Sequence, residues 1–173
     1  MVWDGESHAT GKAWADCDQK PGCKSALAVE PARGRAGTAA LSLRGDGPGW
    51  IGGGWNFFGW WPKDAGLDVS AETHLVFWLR GEAPTAEAAP AALTVSLRCS
   101  GAEQCESAGV EIQKYVTTDR PFDGAWHEVA IPLADLAKNG FNPRTVWELV
   151  LGTWSNAPKS FALSVDDVGF ETR

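Results

Sequence analysis

The sequence predicts an all-β fold, an antiparallel β-sandwich of the jelly-roll type. Three observations point there. Apolar and polar residues alternate in short runs, Gly, Pro, Asp and Asn punctuate those runs, and no long stretch carries helical periodicity. The 173 residues suffice for one domain with a sizeable core, so residues 1–173 are read as a single unit.

The elements follow in order. The run SALAVE (25–30) precedes TAALSLRG (38–45), in which Leu41 and Leu43 share a face. THLVFWLRG (73–81) puts Leu75, Phe77 and Leu79 on one side, and Val76, Trp78 and Arg80 on the other. The Ala/Pro-rich segment 81–92 reads as a surface loop, because alternation resumes at once in ALTVSLRC (92–99). There Leu93, Val95 and Leu97 point inward, and Thr94, Ser96 and Arg98 outward. GVEIQKYV (109–116) is expected to be a strand with Glu111, Gln113 and Tyr115 on its outer face. AWHEVAIPL (125–133) is a strand ended by Pro132, and LADLAKNG (133–140) is one helical turn closed by Gly140. TVWELVLGTW (145–154), apolar on both faces, suits a central strand, and SFALSVDDVGF (160–170) is the last. No internal repeat is visible.

The most unusual stretch is GWIGGGWNFFGWWP (49–62), in a chain with ten tryptophans where ordinary composition gives roughly two. In strand geometry one parity holds Trp50, Asn56, Phe58 and Trp60, and the other Ile51, Trp55, Phe57 and Trp61. If one set enters the core, the other faces outward, covered by loops or offered to a ligand. The three glycines leave flat, open backbone between the rings, or form a bulge. Core positions are expected for Trp3, Trp14, Trp126 and Trp147.

A net charge of -7 and a pI near 4.9 argue against nucleic acid and against anionic membrane surfaces as partners. No apolar run reaches the roughly 20 residues of a membrane span. The chain opens at MVWDGES without a secretory leader, and Met1 is expected to be an added start. The four cysteines form two local pairs, CDQKPGC and CSGAEQC. Free buried thiols are one reading and a zinc site another, but zinc prefers tighter spacing and nearby histidines. Two local disulfides, Cys17–Cys23 and Cys99–Cys105, are the favoured reading. They imply an oxidising compartment, extracellular or periplasmic.

Three motifs in order carry a family resemblance: the acidic opening VWDGES, the strand-to-turn run WHEVAIPLADL, and the terminal FALSVDDVGF. Together they resemble the carbohydrate-binding modules with a galactose-binding-like β-sandwich, and are most similar to cellulosomal β-glucan-binding modules. The resemblance spans nearly the whole chain. It implies a structural calcium where the first and last strands meet. Asp4 and Glu6 match the N-terminal acidic cluster, and Asp166 or Asp167 the terminal aspartate. It also implies binding-face aromatics at Trp50 and Trp154.

Sugars offer C–H faces that stack on indoles and hydroxyls that need polar partners. The expected floor is therefore drawn from Trp50, Trp55, Trp60 and Trp154, and the hydrogen bonds from Arg98, Gln113 and Tyr115. The function expected is non-catalytic binding of a β-glucan or related polysaccharide, by a monomer belonging to a larger multidomain protein. A protein-interaction or adhesion domain on the same sandwich is the alternative. An enzyme is disfavoured, since no motif selects an opposed carboxylate pair, a nucleophile elbow, a zincin helix or a phosphate loop.

Overall fold

The computed structural model describes all residues except 1–11, 19, 59–65, 101–104, 117, 119 and 138–139. Among the described residues there are eight strands: β1 (Ala13–Cys17), β2 (Lys24–Glu30), β3 (Ala40–Asn56), β4 (His74–Glu82), β5 (Thr94–Cys99), β6 (Val110–Glu111), β7 (Asp123–Pro132) and β8 (Val146–Glu171). A single helical turn, α1 (Leu133–Leu136), follows β7. All pairings are antiparallel.

Two long strands organise the sandwich. β3 and β8 pair along almost their whole lengths, from Leu41 opposite Val165 to Asn56 opposite Glu148. Their register shifts between Gly47 and Gly49, where both glycines take positive φ (110° and 94°) that a side-chain-bearing residue rarely adopts. A Cβ at Gly47 would sit 2.7 Å from the Cys23 Cα, so this corner also needs the close approach. Such bulges let one strand serve two sheets. Before the corner, β3 pairs with β2, and the matching end of β8 pairs with β4, which pairs with β7. After it, β3 pairs with β1, and the first half of β8 pairs with β5, which pairs with β6. The layers are thus β2-β3-β8-β4-β7 and β1-β3-β8-β5-β6.

The core lies between them. Leu43, Leu75, Phe77, Leu79, Ile131 and Leu163 from the first layer meet Ile51, Trp55, Leu97 and Leu149 from the second, all essentially inaccessible to water. The alternations expected at 73–81 and 92–99 match the burial of β4 and β5. The stretches 145–154 and 160–170 are not separate strands: they fuse into β8, continuous through its bend. Likewise 38–45 runs on through Asn56. Strand 109–116 shrinks to Val110–Glu111, because Ile112–Lys114 wind into a 3-10 turn that buries Ile112. Of the segment 81–92 expected to be a surface loop, Gly81 and Glu82 complete β4 and residues 83–92 form the loop.

Of the two cysteine pairs, Cys99–Cys105 is a disulfide, with Cα atoms 5.0 Å apart. The expected Cys17–Cys23 bridge is corrected: both are free thiols. Burial first, then the neighbouring Cys17, push the Cys23 thiol up to about 12, so it stays protonated, and exchange needs the thiolate. Its Sγ–H instead faces the Trp50 carbonyl at 3.8 Å. Unfolded, unreduced protein is accordingly expected to titrate two thiols, rising to four after reduction; none before reduction would mean that the second bridge forms.

Candidate functional site

The candidate site is the outer face of the second layer. Residues directly opposite each other on paired strands share a face. Register therefore places Trp14 beside Gly54, Trp50 beside Trp154, Gly52 beside Gly152, and Glu148 between Asn56 and Arg98. β1 adds Asp16, and β5 adds Ser96 and Thr94.

The glycines explain the aromatic stretch. A Cβ at Gly52 would lie 2.5 Å from Trp50 Cζ2, and one at Gly152 3.0 Å from Trp50 Nε1. A Cβ at Gly54 would lie 2.7 Å from Trp14 Cε2. Both indoles therefore lie down on bare backbone. Their planes are within 23° of parallel, with centroids 6.3 Å apart. The result is a flat, two-ring floor across β1, β3 and β8. Trp154, at 58% the most exposed large apolar side chain among the described residues, stands at one end, with the Lys20 ammonium 5.9 Å from its ring centroid.

At the other end the floor is held by charge. Trp14 Nε1–H donates to Glu148 Oε1 at 2.6 Å, and Arg98 Nη1 donates to Glu148 Oε2 at 2.9 Å. The Arg98 guanidinium also lies 5.3 Å from the Trp14 ring centroid, and its side chain is one-third exposed. Glu148 is wholly buried, and burial raises its pKa above the ordinary glutamate value against the lowering effects of Trp14 and Arg98. Ser96 Oγ–H donates to Glu106 at 2.9 Å. Asn56 accepts from the Phe58 N–H through Oδ1, while its buried Nδ2 has no partner among the described residues.

The expected binding residues separate clearly. Trp50, Arg98 and Trp154 come together on this face. Trp55 is corrected: at 3% exposure it belongs to the core and packs edge-on against Phe57 at 4.9 Å, since it has the parity of Ile51. Gln113 and Tyr115 are corrected too, because the 3-10 turn breaks the alternation that put them outward. Gln113 accepts from the Leu93 N–H at 3.1 Å and donates to the Ala91 carbonyl, and Tyr115 donates to Asp135 at 3.0 Å. Trp60 lies outside the described residues, as does Trp3. Trp147 is buried as expected, Trp126 is half-buried beneath Arg80, and Trp14 is no core residue but half of the floor. Trp14 and Glu148 are the members that sequence reasoning missed.

The chain-end aspartates form a separate cluster. Asp166 is buried, and its carboxylate accepts from Arg35 N at 2.8 Å, Thr38 Oγ1 at 3.1 Å and Asp167 N at 2.8 Å. A Cβ on Gly34 would collide with Thr38 Oγ1 and lie 2.7 Å from the Ala39 carbonyl and 2.8 Å from Asp166 Oδ2. Carboxylate, hydroxyl and carbonyl oxygens thus converge over a bare backbone position, a donor set that suits a hard cation. Asp167 does not join them. Its backbone takes φ 50° and its carboxylate pairs with Arg35 at 2.7 Å. Asp4 and Glu6 lie outside the described residues. Among the described residues no three Asp, Glu, His or Cys side chains form a metal cluster.

Residues 4–172 match the family model described as Carbohydrate binding domain 30. No curated protein matches the chain. Among solved structures it resembles the family 30 module of the cellulosomal cellulase Cel9D-Cel44B of Clostridium thermocellum. The TM-score is 0.69 at 22% identity, over 93% of this chain and 91% of that one. A family 11 module from Clostridium thermocellum, solved with a β-1,3-1,4-mixed-linked tetrasaccharide, aligns at TM-score 0.60 and 12% identity, covering 98% and 92%. A β-1,2-glucanase from Parabacteroides distasonis aligns at 0.66 and 16% identity, covering 98% of this chain but 24% of the enzyme. At these identities the structural matches establish the fold.

Proposed function

Because this chain belongs to the carbohydrate-binding domain 30 family, we propose that its Trp14–Trp50 floor binds a β-linked glucan chain without cleaving it. The single observation that carries the reading is the pair of near-parallel indoles laid flat on Gly52, Gly54 and Gly152. Equatorial hydroxyls give a β-glucan flat C–H faces, which match such a floor, while its hydroxyl edges meet Arg98, Ser96 and Asp16 at the margins. Interleaved polar groups favour a sugar over a protein partner, whose docking patch is apolar at its centre. The family 11 likeness to a module holding a mixed-linked β-glucan oligosaccharide supports the same ligand class. The Cys99–Cys105 disulfide supports an extracytoplasmic setting, in which the chain works as a monomeric module of a larger protein.

Affinity electrophoresis across soluble polysaccharides tests this. Retardation by β-glucans and none by α-glucans is expected. Free migration in every β-glucan gel would overturn the reading.

A structural calcium is the second part of the proposal. Asp166, Thr38 Oγ1 and the Ala39 carbonyl would hold it together with Asp4 or Glu6, and the ion would tie the chain ends by neutralising their carboxylates. At a free calcium concentration tenfold above Kd, the ion adds about 1.4 kcal/mol to stability. Chelation is therefore expected to lower Tm by a few degrees, and Asp166→Asn to remove that response. An unchanged melt on chelation, with no calcium in elemental analysis, would remove the ion.

A further inference from the structure

Glu148 stands apart from the exposed rings. It is wholly buried, so it cannot touch a bound sugar, yet its two carboxylate oxygens divide between two members of the site. One holds the indole N–H of Trp14 and the other holds Arg98. We propose that Glu148 is the positioning residue of the glycan floor, and that its ionised form locks Trp14 flat and Arg98 at the rim. The inference rests on the binding role of this face.

Geometry supports it in three ways. Trp14 sits on a five-residue edge strand and lies over Gly54, where no side chain fixes the ring from below. Its N–H bond to Glu148 therefore sets the rotation of the indole about its own axis. Arg98 has its ion pair with Glu148 and its contact with the Trp14 ring, so one carboxylate aligns both. An ionised carboxylate accepts two such donors at once, whereas the protonated acid surrenders one oxygen as a donor.

The burial of this charge works against the fold. Because the folded-state pKa is raised, the native chain binds more protons than the unfolded one just above pH 4.5. Stability thus falls as pH rises from there through the raised value, and stays lowered above it. The charged groups facing Glu148 are Arg98 from β5, which favours ionisation, and Glu106 from the segment after β5, which opposes it. β1 and β3 face it with Trp14 and Asn56, which do not titrate.

Three readouts on the whole chain test this: Tm, affinity for a soluble mixed-linkage β-1,3-1,4-glucan, and the Trp14 indole N–H resonance assigned with Trp14→Phe. Glu148→Gln is expected to melt no lower than the parent at pH 7, yet to bind the glucan about five- to tenfold more weakly, the loss of one charged hydrogen bond. The parent's affinity should fall as pH drops through the raised Glu148 pKa, with the Trp14 resonance moving in step, while Glu148→Gln stays flat in both. If Glu148→Gln binds like the parent, with the same pH profile, while Trp50→Ala loses binding, the positioning role is wrong and the glucan reading stands. If the parent binds no glucan, both fall.

Discussion

Removing both floor rings, Trp14→Ala with Trp50→Ala, is expected to weaken β-glucan binding by roughly 30-fold or more while the chain stays folded. Each stacked ring contributes about 1–2 kcal/mol, so two together contribute about 2–4 kcal/mol. That corresponds to roughly 30- to 1000-fold in affinity. Folding should survive because neither ring enters the core. Both lie on the outer face, and the residues beneath them are glycines. Each single variant should lose roughly tenfold, and because the indoles contact each other the two losses are not expected to be additive. Isothermal titration with a mixed-linkage tetrasaccharide measures the loss, and the melting curve checks the fold. A double variant that binds like the parent would place the site elsewhere.

Gly54→Ala is expected to lose nearly as much affinity as a ring deletion, although it adds one methyl and removes nothing. The new Cβ would lie 2.7 and 2.9 Å from Trp14 Cε2 and Cζ2, and its nearest neighbours all belong to that ring. Trp14 must lift off the sheet, which tilts half the floor and lengthens the bond to Glu148. Gly54 has no positive φ, so alanine suits the backbone and stability should change little. A loss of about tenfold in affinity with an unchanged Tm is the predicted pair. Gly52→Ala makes the contrast, since there the Leu151 carbonyl stands 2.7 Å from the new methyl and stability falls as well. Parent-like binding by Gly54→Ala would show that ring flatness does not matter.

The sequence carried the architecture well where periodicity was local. β4, β5 and β7 announce themselves by alternation, and the parity split of 50–61 already separated Ile51, Trp55 and Phe57 from Trp50. Naming Trp55 a ligand residue went against that split, since it and Trp50 lie on opposite faces. Trp14 was out of reach for a different reason. AWADC is too short to show a period, and its face follows from pairing with Gly54, forty residues away. Glu148 lies in a run apolar on both faces, and only the partners across β1 and β5 show what its charge does. Gln113 and Tyr115 were misplaced because a 3-10 turn interrupts an apparent strand to bury Ile112. The link between the two halves of β8 was hidden by SNAPKS (155–160), whose turn-like residues instead form the corner opposite Gly47–Gly49.

If the floor described above is the binding face, Trp14, Trp50 and Trp154 meet the sugar while the other described tryptophans do not. Following every indole N–H resonance as a mixed-linked β-glucan tetrasaccharide is titrated tests it most directly. The signals of Trp14, Trp50 and Trp154 are expected to shift with one saturable affinity. Those of the buried Trp55 and Trp147, and of Trp78 and Trp126 on the opposite layer, should stay in place. Shifts confined to Trp78 and Trp126, or no shift in any indole at saturating glucan, would contradict it.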